Sequence, residues 1–301
     1  MRRALLHRLS LLLLLPLFVL SSCELYNPDE QIPSYIRIES FELESVDANL
    51  HGAITENITD VWVFVNDEQI GGFELPATIP ILEQGPVNLK VFAGIKLNGI
   101  AASRLAYPFF DVYELGEGQI ELVPDSVITI EPITRYNSVH NYLWNEDFEN
   151  TGLDYAQPGP ALLVRSDNTT GNQLYGGKIG RVALNATDSS WRFQTDAFQF
   201  PRVETEAFIE MDYAFEAEMV VRVISYVPGS PGQEFDLIFI RPTFDDADNL
   251  FWNKIYIDLT PTLNREALAD SFRFVFHSLY ADTTGLPEQN LYIDNLKLIH
   301  E

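Results

Sequence analysis

AFIEMDYAFEAEMVVRVISYV, residues 207–227, decides the fold class. It is rich in β-branched and aromatic residues and shows no helical period, so it reads as strand. Working outward, FDLIFIRPTF (235–244), NKIYIDLT (253–260), DSFRFVFHSLY (270–280) and NLYIDNLKLI (290–299) share that texture. So do KIGRVAL (178–184) and WRFQTDAF (191–198) on the N-terminal side. Only NREALAD (264–270) reads as a helical turn. Strands of this number and length predict a β-jelly-roll sandwich over residues 136–301.

Residues 34–135 have shorter runs of period two. YIRIESFEL (35–43) alternates, and DVWVFVND (60–67) is a strand ending in the turn signal Asn66-Asp67, with QIGGFELP (69–76) as its partner. PVNLKVFAGIKLNG (86–99) reads as a hairpin with turn glycines Gly94 and Gly99, and ITIEPI (128–133) closes the set. The expected fold class is therefore all-β: a small Ig-like β-sandwich over 34–135, then the larger jelly roll over 136–301.

The first 22 residues read as a cleaved leader. Arg2, Arg3 and Arg8 precede an apolar run from Leu11, too short for the roughly 20 residues of a spanning helix. The ending Leu20-Ser21-Ser22-Cys23 resembles the lipobox of bacterial lipoproteins, in which the cysteine is acylated and the chain is cut before it. Cys23 is the sole cysteine, so no intrachain disulfide can form. Residues 23–33 read as a lipidated tether, and the expected location is the bacterial outer membrane, lipid-anchored on its periplasmic or surface-exposed face. Glu24, Asp29 and Glu30 are similar to the acidic export signals of Bacteroidota lipoproteins. Loss of residues 1–22 removes three arginines and no acid, moving the formal net charge from −25 to −28. Such a surface repels phosphate, which excludes nucleic acid as a main partner.

NEDFENTGL (145–153), GGKIGRVAL (176–184) and YIDNLKLI (292–299) resemble the opening, middle and closing phrases of β-jelly-roll carbohydrate-binding modules, of the galactose-binding-like kind. The 35 residues from Val61 to Ile95 are similar to the PEGA-type repeat of envelope proteins, and the two-domain layout resembles lipoproteins of Bacteroidota. The module resemblance implies a structural Ca2+ between the first and last strands. Glu149 and Asp294 match its ligand positions, an oxygen-rich arrangement that suits this ion. It also implies aromatic platforms for sugar rings, with Trp191, Trp252, Tyr155 and Tyr175 as candidates. Trp191 and Trp252 each sit in an alternating strand, a position equally suited to a core.

No nucleophile elbow, H-E-x-x-H, P-loop or dinucleotide fingerprint occurs, and His51, His140, His277 and His300 have no ligand spacing. No enzyme is expected. Two functional readings follow: an envelope lipoprotein that binds a glycan or other surface ligand through the jelly roll, with the first domain as a spacer, or an accessory subunit of an outer-membrane protein complex.

Overall fold

The computed structural model describes residues 30–45, 47–150, 156–170, 177–201, 205–282 and 285–301, so Cys23 and most of the tether lie outside the described residues. The first part of the chain contains β1 (Ser34–Ile38), β2 (Glu42–Glu44), the short helix α1 (Ala48–His51), β3 (Asp60–Val65), β4 (Glu68–Glu74), β5 (Ala77–Ile81), β6 (Gly85–Lys96), β7 (Arg104–Ala106), β8 (Tyr113–Leu122), β9 (Val127–Ile130) and β10 (Ile133–Arg135). A sheet ordered β4-β3-β6-β7, with β8 also on β6, packs with a β5-β1-β9 sheet in which β1 and β9 run parallel. Asn66 and Asp67 both take positive φ, 51° and 65°. That is the two-residue turn whose twist matches its flanking strands, as the sequence predicts for β3 and β4. The inward side chains alternate as Val61, Val63, Val65 on β3 and Val87, Leu89, Val91 on β6, all fully buried.

Gly94 is a correction. It lies inside β6 rather than in a turn, and only Gly99 (φ 67°) serves the hairpin with Asn98 (φ 55°). The indole of Trp62 occupies the space that a side chain at Gly94 would need.

The second part contains β11 (Asn141–Glu146), β12 (Val164–Asp167), β13 (Lys178–Asn185), β14 (Ser190–Gln194), β15 (Ala207–Phe215), β16 (Met219–Tyr226), β17 (Gln233–Ile240), β18 (Asn253–Asp258), α2 (Thr260–Arg265), β19 (Ser271–Leu279) and β20 (Glu288–His300). Two sheets face each other, one ordered β12-β13-β20-β15-β18 with β11 also on β20, the other β14-β19-β16-β17. The run 207–227 splits at Glu216-Ala217-Glu218 and changes sheets there, β15 in one and β16 in the other. The helical turn sits upstream of the expected 264–270, because Pro261 starts α2 without needing a backbone donor. Phe148, Trp191, Phe193, Met211, Phe274 and Phe276 are among the buried side chains between the sheets.

β15 is buried along all nine residues. Ala207, Ile209, Met211, Tyr213 and Phe215 face the sandwich interior. Phe208 joins Tyr256 and Ile299 in the hydrophobic cluster of the first part of the chain. Burying those three side chains contributes roughly 1.5–3 kcal/mol each. Between them lies an ionic network. Glu210 accepts from the hydroxyls of Tyr107 (2.7 Å) and Tyr136 (2.5 Å) and pairs with Lys254 (3.0 Å) and Lys297 (3.6 Å). Asp212 accepts from Asn295 (2.8 Å) and Thr55, and Lys297 stands 3.7 Å over the Tyr136 ring. The two β units therefore share a buried polar interface, and separately the loop 97–100 bonds to the jelly roll through Asn98.

Candidate functional site

Beside that loop the jelly roll opens into a groove of about 400 Å³, lined by β17, the residues after it, the start of β18 and the turn Asn98-Gly99-Ile100. The turn is held against β18 by two bonds. Asn98 donates its backbone N–H to the Tyr256 carbonyl, and its Oδ1 accepts the N–H of Asp258. Grooves at the junction of two units, mostly apolar with a few fixed polar groups, are where small ligands are held.

The walls are aromatic. Phe239, on edge strand β17, is 57% exposed, and Phe251, just before β18, is 42% exposed. Phe239 is exposed because the strand alternates: Ile240 turns inward to 3% exposure while Phe239 faces out. Phe251 is held by its backbone N–H on the Thr243 carbonyl, which closes the loop 243–251. The groove also carries Asn253, whose amide donates to the Tyr213 hydroxyl (3.3 Å) and accepts from Asn57 (3.0 Å). Burial pushes the Tyr213 phenol above its usual range, against the bond from Asn253, so its hydroxyl stays protonated. Arg241 lines the rim, exposed, and among the described residues no carboxylate pairs with it. Rings to stack on, a neutral hydroxyl, an amide and a free guanidinium form a surface suited to an uncharged or acidic polyol.

The residues expected from sequence fall elsewhere. Trp191 is 1% exposed in the core, stacked near Phe193 (centroids 6.1 Å apart), and presents no face to a ligand. Trp252 is half-buried and donates from Nε1 to Thr170 (2.7 Å). Its neighbour Phe251 takes the exposed position. Tyr155 and Tyr175 lie outside the described residues. The sequence does not single out Phe239 or Phe251: the outward turn of Phe239 depends on its strand lying at a sheet edge, and that of Phe251 on the loop before β18.

Glu149, three residues beyond the end of β11, is close enough to Asp294, in the middle of β20, for its charge to act on it. Asp294 is 4% exposed on β20. Burial, followed by the charges of Asp212, Asp147 and Glu149, raises its carboxyl to about 8 against one opposing backbone bond. Glu149 is exposed, and its Oε1 accepts the backbone N–H of Lys178 at 2.7 Å. Among the described residues no group of three or more metal-ligating side chains is assembled. Asp147, Glu149 and Asp212 add negative charge around Asp294, and among the described residues the second oxygen of Glu149 accepts no hydrogen bond.

No family model matches the chain, and no curated protein does. Solved β-sandwich structures are similar to it. One, described as showing the structural basis for promiscuous specificity of carbohydrate-binding modules of the β-sandwich superfamily, shares 15% identity at a TM-score of 0.40, over 90% of this chain and 99% of that one. The CBM22-1 xylan-binding domain of Paenibacillus barcinonensis Xyn10C shares 12% identity at 0.36, over 53% of this chain and 94% of its own. TmCBM61 in complex with β-1,4-galactotriose shares 13% at 0.34, over 54% and 99%.

Proposed function

We propose that this chain is a non-catalytic envelope lipoprotein, acylated at Cys23 in the bacterial outer membrane, that binds a glycan in the groove of its jelly roll. The observation that carries the binding reading is the pair of exposed rings, Phe239 and Phe251, lining a groove whose other residues include Tyr213, Asn253 and Arg241. An aromatic ring offers a negative face to the C–H edges of a sugar, and amide and guanidinium groups bond its hydroxyls. Calcium held by Asp294 and Glu149 belongs to the same proposal, supported by the mutual repulsion of the carboxylates there.

Titration of the mature chain with xylohexaose and β-1,4-galactotriose, followed by calorimetry, tests the reading. Binding of at least one, weakened about tenfold in Phe251→Ala and in Phe239→Ala, is the expected result. No binding of either, or equal binding by the alanine variants, overturns it. A protein-docking role has one observation in its favour. β17 is the open edge of its sheet and carries Phe239 outward, the kind of edge that a partner strand can extend.

A further inference from the structure

The outer face of the β4-β3-β6 sheet, on the unit read from sequence as a spacer, carries a second aromatic surface. Trp62 on β3 stands directly opposite Gly72 on β4 and Phe92 on β6, and Gly94 is the next outward position on β6. A Cβ at Gly94 would come within 2.3 Å of the indole Cζ3, and one at Gly72 within 3.0 Å of Cε2. The indole therefore lies flat across three strands, with its two ends over the two glycines. A ring lying on its sheet in this way turns its other face outward. Trp62 is part-exposed, and among the described residues no aromatic ring pairs with it and no cation sits over it. Phe64 and Phe92, packed edge-to-face at 5.3 Å, continue the apolar surface on one side.

The rim is charged, and each of its cations is paired. Arg104 donates to Asp60 (2.7 Å) and Glu74 (2.9 Å), Lys96 stands 3.8 Å from Glu74, and Lys90 donates to Asp67 (2.6 Å). Three of the five basic residues between positions 24 and 135 are on this one face, each paired with an acid. Glu114, 3.7 Å from Lys90, is a fourth carboxylate around these three cations, so the rim offers fixed donors and acceptors with a small excess of negative charge. That complements a ligand with many hydroxyls and no charge, and an anionic one meets a chain of strongly negative net charge. A glycine inside a strand weakens it, and the two beneath this side chain leave the space that the flat ring fills.

We infer that the Trp62 surface is a second carbohydrate-binding site, taking a neutral pyranose by stacking on the outward face of the indole, so that the N-terminal unit is a binding module and not a spacer. The inference does not rest on the jelly-roll groove, and the test separates the two. The mature chain is titrated with cellohexaose, mannohexaose and xylohexaose, reading intrinsic tryptophan fluorescence and heat. The expected result is a fluorescence change with at least one sugar that is lost in Trp62→Ala and persists in Phe251→Ala. Trp62→Phe, which keeps a ring and the fold, binds with affinity between parent and alanine variant, and Gly94→Ala, which lifts the indole, weakens binding about tenfold. Melting curves of each variant show whether the fold is intact. Parent-like binding by a folded Trp62→Phe and Trp62→Ala pair, or no Trp62-dependent change with any of the three sugars, overturns the proposal.

Discussion

Phe148 takes a left-handed backbone conformation, φ 56°, and is fully buried, with the position of a Gly180 Cβ only 2.6 Å from its Cζ. Beside it Glu149 accepts from Lys178, and Arg165 donates to the carbonyls of Phe148 and Glu149. The phrases NEDFE and GGKIG, legible in sequence as motifs, are therefore halves of one packing contact. Gly180→Ala forces a methyl group into Phe148 and Leu163, and overpacking of this kind destabilises by roughly 1–3 kcal/mol. A melting temperature within a degree of the parent's in that variant contradicts the contact. The stacking candidates were less legible at this scale. In SWRFQ the alternation places Trp191 with Phe193 and apart from Arg192, and that is a core signal. Aromatic identity alone favoured the tryptophans over Phe239 and Phe251, whose exposure is set by an open sheet edge and a loop.

A strand such as β15 shows where pattern reading stops at the level of elements. Its apolar residues made it recognisable, but a strand with one face on a core is expected to turn its acids to water. Glu210 and Asp212 instead lie beneath the first β unit, opposite Lys297 and Asp294 on β20. The register shift between Glu210 and Asp212 sets Asp294 and Asn295 (φ 48°) on the same side of that strand. In calcium-free buffer Asp294 is a stability liability at neutral pH. Its folded value of about 8 stands above the ordinary 3.8, so what it contributes is present below 3.8 and is lost as pH rises toward 8. Asp294→Asn should therefore raise the melting temperature at pH 8 without calcium. With calcium at ~100 Kd the parent should gain about 2.7 kcal/mol, a rise of roughly 5–10 °C, and the Asn variant much less. Magnesium reproducing the whole shift, or a parent melt indifferent to calcium, removes the ion from the account.

Across the whole molecule, the joint between the units is the feature least visible in sequence. Its charges come from β15, β18 and β20, and its hydroxyls from Tyr107 and Tyr136, so only the folded chain brings them together. Two all-β units were legible from strand texture and turn residues; their fusion was not, because an acid or lysine in a strand looks the same whether water or another unit covers it. Residues 136–301 alone would bare Phe208, Tyr256 and Ile299 along with Glu210, Lys254 and Lys297, so calorimetry of the full chain should show one cooperative transition rather than two. Glu210 gives the sharper test. Burial raises its carboxyl, but Lys297, Lys254 and the hydroxyls of Tyr136 and Tyr107 reverse this and leave it at about 2, below the ordinary 4.5. A carboxylate depressed in this way contributes stability that is complete above 4.5 and is lost as pH falls through 2, ~3 kcal/mol for such a shift. Glu210→Gln keeps the shape and removes the charge, stranding Lys297 and leaving Lys254 with only Asp212, 3.8 Å away, at neutral pH. The parent should therefore exceed the Gln variant in unfolding free energy at pH 6, and the gap should close as the pH is lowered from ~4.5 toward ~2. The comparison of the two proteins cancels the opposite pH trend of Asp294. A gap that stays constant from pH 6 to pH 2.5 by denaturant titration means that Glu210 is not the ionised centre of the joint.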